Sequence, residues 1–272
     1  MSWWRSSTGC GPPARARPRR SRTPSSDIRS IPTSPTRARL RPSSAQHRAD
    51  HLSRRSGGRK RAGSQGPGGG DLGSASVPDA KLSLAQEPEA DKLLSRDPLA
   101  LLIGMVLDQQ VPLERAFSAP RDLKQRLGRN LDARELAAMD PDQLAAVFCQ
   151  RPALHRFPAA NAKRVQQLCR IVVDDYGGKA ADVWTTAKTG EELLRRIKAL
   201  PGFGEQKARI FVGLLGKQLG VRPSGWREAA GAFGQPGTHM SVADITDSES
   251  LGRVRAYKQQ RKAAAKAGDV TA

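Results

Sequence analysis

Cysteine is scarce in this 272-residue chain. Cys10, Cys149 and Cys169 stand too far apart for the spacing of a structural zinc or iron–sulfur site, and so low and odd a number excludes a disulfide scaffold. Long hydrophobic runs are missing too. The longest, PLALLIGMVL from Pro98 to Leu107, is about half of the ~20 residues that a bilayer-spanning helix requires. The amino end, MSWWRSSTGCGPP, lacks the apolar centre of a secretion signal, so the expectation is an intracellular protein. Aromatic residues make up only 4% of the chain, which leaves few rings for any stacking surface. Acidic residues are outnumbered, 26 Asp plus Glu against 46 Lys plus Arg, and the net charge of +20 asks for a polyanionic partner, above all nucleic acid.

The excess charge is unevenly spread. Residues 1–80 carry a net +12 and the remaining 192 residues a net +8. That front segment is Arg, Pro, Ser and Gly, in runs such as RARPRRSRTPSS and SQGPGGGDLGS, with almost no aliphatic side chains to bury, and is expected to be disordered. Three readings stay open for it: an Arg-rich arm that neutralises phosphates, a targeting extension, or a start assigned too far upstream, with translation beginning near Asp79. His47 and His51 have the spacing of a metal pair on a helix, but they fall where no helix is expected.

From Lys81 onward apolar residues recur at helical spacing between clear start signals. Asp97 before Pro98 is an N-cap followed by a first-turn proline, opening a helix over Leu99–Leu107 that is apolar on every side and therefore buried. Pro112 suits the first turn of the next helix, with Leu113, Ala116 and Phe117. Asp132, Asp140 and Thr189 each stand three residues before a Glu or Gln, the start signature of three more helices. Between Ala159 and Tyr176 the residues Ala162, Val165, Leu168, Cys169, Val172 and Tyr176 share one face, and Gly177-Gly178 ends the helix. Cys149 and Cys169 fall on apolar faces. No segment alternates as a strand does, so the fold class is all-α, with eight to ten helices in a domain over 83–262 and a basic tail over 263–272.

One stretch departs from ordinary helical sequence: Ile197-Lys-Ala-Leu-Pro-Gly-Phe-Gly-Glu-Gln-Lys-Ala-Arg-Ile-Phe211. A helix ends at Leu200, Pro201-Gly202-Phe203-Gly204 turns tightly, and a second helix places Ala208, Phe211, Val212, Leu215 and Leu219 on one face. Gly202 and Gly204 leave no side chains over the amides at the helix start, where a phosphate can approach. Lys207 and Arg209 favour the same anion.

LPGFGEQKA strongly resembles the helix-hairpin-helix element LPGxGxxxA of the GPD superfamily of base-excision repair DNA glycosylases, which includes endonuclease III and the adenine-mismatch and alkylpurine glycosylases. LLIGMVLDQQVPLERAF is similar to that family's LLxxxLSQQxxxxxA helix-turn-helix, and NAKRVQQLCRIV to the helix upstream of its hairpin; the likeness spans roughly residues 95–220. The resemblance implies a two-lobed all-α fold, with duplex DNA across a cleft and a damaged base turned out of the stack into a pocket. It implies that Gln110, beside Gln109, fills the hole left by the flipped base. It also implies that the main-chain carbonyls of Lys198, Leu200 and Phe203 hold a monovalent cation at the hairpin. The chain diverges in having no iron–sulfur cluster motif.

It diverges in its chemistry as well. Bifunctional members carry a nucleophilic Lys two residues past the second hairpin glycine, where this chain has Gln206. Lys207 is one place on, a turn of about 100° around the helix, so no lyase activity through it is expected, only a phosphate contact or a solvated charge. The family's Asp, in a V-D-T-H-like segment, stabilises a sugar cation and helps activate water. The matching position here is Ser224, and Gly237-Thr238-His239 has Gly in place of the acid. Three carboxylates are left: Glu228 as first candidate, then Asp108 and Asp244. Trp184, Trp226 and Phe203 are the candidate base-stacking rings. The resulting expectation is a monomeric, monofunctional N-glycosylase on damaged duplex DNA, in the cytoplasm or on the nucleoid of a bacterium. The alternatives are a non-catalytic lesion-binding protein of the same fold, or a helical interaction domain with an unrelated basic tail.

Overall fold

The computed structural model describes residues 81–269. The expectations for residues 1–80, the His47–His51 pair and Cys10 among them, lie outside this range. Within it the chain forms α1 (Pro88–Arg96), α2 (Pro98–Leu107), α3 (Leu113–Leu127), α4 (Ala133–Ala138), α5 (Pro141–Cys149) and α6 (Pro158–Tyr176). These are followed by α7 (Asp182–Thr185), α8 (Gly190–Lys198), α9 (Glu205–Gln218), α10 (Trp226–Ala230), two 3-10 turns (Gly231–Gly234 and Val242–Asp244) and α11 (Ser248–Asp269). No strand occurs among the described residues; one isolated bridge joins Thr189 to Ser224. The fold is all-α.

The expected helix starts are made by the expected side chains. Asp97 Oδ1 accepts from the N–H groups of Leu99 (2.9 Å) and Ala100 (3.2 Å), and Asp132 and Asp140 bind their own first turns in the same way. Thr189 caps Glu192, whose carboxylate reaches back to Lys188 N–H. Eleven α-helices are described against the eight to ten expected. The difference comes from α7 and α10, which at four and five residues are too short to show apolar periodicity. α11 also runs past the expected domain end at 262.

α3 packs on α1, α2 and α5, while α6 packs on α4, α5 and α2. α8, α9, α10 and the two 3-10 turns form a second group, linked to α6 through α7. One continuous apolar cluster runs through both groups, with α2 buried along its whole length after Pro98. The amphipathic face of α6 is as the sequence suggests, except that Asn161 and Gln166 are buried with it and Tyr176 is only half-buried. Gln166 Nε2 is buried because it donates to Met139 O (2.6 Å), satisfying a carbonyl left open at the end of α4. Cys169 is fully buried, which pushes its thiol up to about 12, whereas Cys149 at the end of α5 is half-buried.

The two candidate stacking tryptophans are core residues. Trp184 meets Phe211 edge-on at 5.8 Å, and Trp226 lies so close to Gly216 that a Cβ there would be 2.3 Å from its ring. Neither ring offers a free face to a base.

Candidate functional site

α8 and α9 form the expected hairpin. The turn closes through Phe203 N–H to Leu200 O (3.2 Å), and Gly202 takes a φ of +83°. Phe203 points inward against Phe211 and is buried, so it plugs the turn and is not available to a base. Gly202, Gly204, Glu205 and Gln206 are exposed, and nothing lies within 4 Å of where a Cβ on Gly204 would stand. Gly204 is the N-cap of α9 and offers no side-chain cap, so the first-turn amides point at open space. An anion has free access to them. Arg209 is already occupied: together with Lys198 it pairs with Glu205, leaving Glu205 below the usual carboxylate range through those two partners.

The carboxyl end of α2 docks on this hairpin from about a hundred positions away in sequence. A Cβ on Gly202 would be 3.3 Å from Gln109 Nε2 and 3.7 Å from Val106, so the glycine is needed for the approach as well as for its φ. Lys207 Nζ donates to Met105 O at 2.8 Å. Lys207 is thus no solvated surface charge. Its ammonium lies under the turn, and burial pulls it down to about 8, with Asp108 opposing the shift and Arg164 adding to it.

Asp108 is the residue this arrangement brings forward. It follows the last turn of α2, with its backbone N–H on Gly104 O, and among the described residues no donor reaches its carboxylate. Burial raises the carboxyl above the usual range, against the pull of Lys258 and then Lys207. Two residues on, exposed Gln110 adopts a φ of +55°, a left-handed conformation that costs a non-glycine residue about 1–2 kcal/mol.

His155 holds that strained turn. Its Nδ1 accepts from Phe157 N–H (3.0 Å) and from Asn161 Nδ2 (2.7 Å), which places the ring proton on Nε2, where it is donated to Gln109 O at 2.8 Å. Burial lowers the histidine pKa, the hydrogen bonds to the Gln109 and Leu107 backbone oppose the shift, and Arg164 and Lys207 add to it. A depressed pKa makes the native state resist a proton that the unfolded chain accepts, so stability is full above about 6.5 and falls as the pH drops towards the folded-state value. His155→Gln is expected to abolish this acid-side loss in urea unfolding followed from pH 8 to 5. His155→Ala is expected to cost about 2–3 kcal/mol at neutral pH, because it strands Asn161 and the Gln109 carbonyl. Superimposable pH profiles for wild type and His155→Gln would remove His155 as the titrating group.

The other two carboxylates are placed differently. Asp244 is saturated: it pairs with Lys217 (2.5 Å), accepts from Thr238 Oγ1 (3.0 Å), and takes the N–H groups of Met240 and Ser241. Glu228 lies on the exposed side of α10, and its Oε2 is 3.9 Å from where a Cβ on Gly225 would stand. Gly225 in turn abuts Gly190, the first residue of α8. Nine residues of α8, about 13 Å at 1.5 Å per residue, separate that end from the hairpin. Ser224 is bridged to Thr189 at the same remote end.

A hairpin with uncapped amides, a glutamine turn docked beside it and a half-buried acid at the junction form one constellation. The sequence model of the HhH-GPD superfamily of base excision DNA repair proteins matches residues 103–270, which takes in all of it. The chain belongs to that superfamily. No curated protein and no solved structure matches it. As an HhH-GPD protein it keeps the hairpin and the glutamine turn together, while Gln206 is exposed on the first turn of α9 and Glu228 and both tryptophans stand apart. A surface groove lined by Gln86, Asp91, Leu94, Trp184, Leu219 and Ser248 is also distinct from the hairpin. None of the described helices is long and apolar enough to cross a membrane.

Proposed function

We propose that this HhH-GPD protein is a monofunctional DNA N-glycosylase that removes a damaged base from duplex DNA, with Asp108 as its catalytic carboxylate. The observation that carries the reading is the Asp108 side chain itself: half-buried, without a hydrogen-bond donor, and within electrostatic reach of the Lys207 ammonium two residues before the left-handed Gln110. A structural carboxylate in such a place would be capped, as Asp244 is. An uncommitted one is suited to a charge that develops only during reaction.

The exposed amides of α9 hold a backbone phosphate, and Gln110 enters the stack where the damaged base leaves it. As the N-glycosidic bond breaks, the electron pair leaves with the base and the Asp108 carboxylate faces the cationic sugar. Water then adds to the sugar carbon, giving up one proton to the carboxylate and from there to solvent, and a base that departs as an anion takes up a proton from solvent in turn. The products are the free base and an abasic site. The Lys258 and then the Lys207 ammonium favour the ionised form of Asp108 against its burial. A monovalent cation at the turn would rest on the Lys198, Leu200 and Phe203 carbonyls, the second of which also accepts Phe203 N–H, and it would stiffen the turn without entering the chemistry.

The test is incubation of the purified full chain with duplexes carrying alkylated, deaminated or oxidised bases, followed by alkali to cleave abasic sites. Base release with no strand cleavage before alkali, and no protein–DNA adduct on borohydride reduction, is expected. An adduct lost in Lys207→Gln would replace this reading with a bifunctional one, since an amine at about 8 is partly neutral at physiological pH. Duplex binding without release of any base would favour the lesion-binding alternative.

A further inference from the structure

α11 has no account in the chemistry above. It is 22 residues long, yet among its residues up to 265 only Ser250, Leu251 and Val254 are buried; past Val254 all are exposed except the half-buried Tyr257. From Leu251 to Ala265 it carries Arg253, Arg255, Lys258, Arg261 and Lys262 and no acidic residue. Arg253 is committed to Glu249 one turn back (2.6 Å). Arg255, Lys258 and Lys262 fall at i, i+3 and i+7 and so form one stripe, while Lys258 and Lys262 are like charges at i, i+4, which destabilise a helix standing alone. A helical segment of this length without a packed face is marginal in water. It is built to be covered by something of opposite charge.

Its position says by what. Arg255 pairs with Glu114, in the first turn of α3 just after the Gln110 turn, and Lys258 lies within electrostatic reach of Asp108. The stripe therefore starts beside the glutamine turn, next to the candidate site. It has no apolar face of the kind that an interfacial membrane helix needs.

We propose that the Lys258–Lys262 face of α11, set in place by the Arg255–Glu114 pair, is a second DNA-backbone grip, flanking the Gln110 turn so that a strand held by the α9 amides is also held beside the flipped nucleotide. The proposal rests on the base-excision reading, and its occupant is the phosphate backbone of the same duplex. No base is read along α11, so the grip is independent of sequence.

The experiment uses the full chain and an undamaged duplex, with affinity followed by fluorescence anisotropy over a salt series. Each lost phosphate contact makes the slope of log affinity against log salt shallower by about 0.9. Lys258→Glu with Lys262→Glu is expected to flatten the slope by about 2 and to weaken low-salt binding by roughly tenfold or more. Lys258→Arg with Lys262→Arg should bind like wild type, since Arg keeps the charge. Unchanged slope and affinity in the Glu pair, with helicity intact by circular dichroism, would overturn the grip. Gly204→Asp in the same assay separates the two readings. If it weakens binding while the Glu pair does not, the grip falls and the base-excision reading stands; if wild type shows no salt-dependent binding, both fall.

Discussion

Asp108→Asn is expected to slow single-turnover base release by about 10²–10⁴-fold, the range a positioned acid or base contributes, while leaving the fold as stable as wild type or more so. The two halves come from the same observation. The carboxyl is raised by burial and has no hydrogen bond to lose, so its charge opposes folding wherever it is ionised. The sign follows from linkage: a folded-state pKa above the reference 3.8 means that native Asp108 takes up a proton before the unfolded chain does. At neutral pH the charged residue is a burden that Asn removes. As the pH falls through the folded value towards 3.8 the wild type recovers that deficit and the two proteins converge. A residue kept at a cost to stability is held there by function. Rates come from single-turnover assays on whichever lesion the panel identifies, and stabilities from urea unfolding at pH 7 and pH 4. Glu228→Gln, at the far end of α8, is the control and should keep the wild-type rate. Should Glu228→Gln abolish release and Asp108→Asn leave it intact, the assignment of the acid is reversed.

The local layer of this structure is legible residue by residue. Asp97, Asp132, Asp140 and Thr189 announce helices because a capping oxygen acts within three residues of itself, and the LPGFG turn is equally local. The site is not local. Asp108 reads in sequence as a polar residue at the end of an apolar helix, and its isolation appears only once Met105 and Lys207, 102 positions apart, are joined. Lys207 looks like a surface charge because helical spacing alone does not say which neighbour covers it. Glu228 illustrates the opposite limit. Linear distance from the hairpin put it near the acid's expected place, but the chain after α9 turns back at Gly220 and starts α10 against the beginning of α8. His155 carried no sequence signal, since its partners are the Phe157 N–H two residues on and Asn161 one turn into α6 on one side, and the Gln109 main-chain carbonyl on the other. Trp226 gave a false one: only the Gly216 socket shows why so large a ring sits there.

The second large effect is expected at Gly204, where structure and binding can be pulled in opposite directions by one substitution. Gly204 has φ −76° and ψ 173°, the extended N-cap conformation that any residue adopts, and its Cβ direction is empty. Gly204→Asp should therefore fold, and its carboxylate should cap the Gln206 or Lys207 N–H, for a gain of a few tenths of a kcal/mol over glycine. That same carboxylate then fills the place proposed for a phosphate, with a charge that repels it. Duplex affinity at low salt is expected to fall by at least about thirtyfold, or ~2 kcal/mol from the lost contact to a charged group, while the thermal midpoint stays level or rises slightly. Gly204→Ala is the companion: it removes no amide and adds no charge, so it should bind within a few-fold of wild type. Substitution at Gly202 would not separate the two effects, because φ +83° and the contact with Gln109 make any side chain there strained as well as obstructive. An Asp variant that melts like wild type and binds duplex like wild type would show that the α9 amides do not hold the backbone. The hairpin would then be only the platform on which Asp108 and the glutamine turn are mounted, and the α11 stripe would have to carry the DNA on its own.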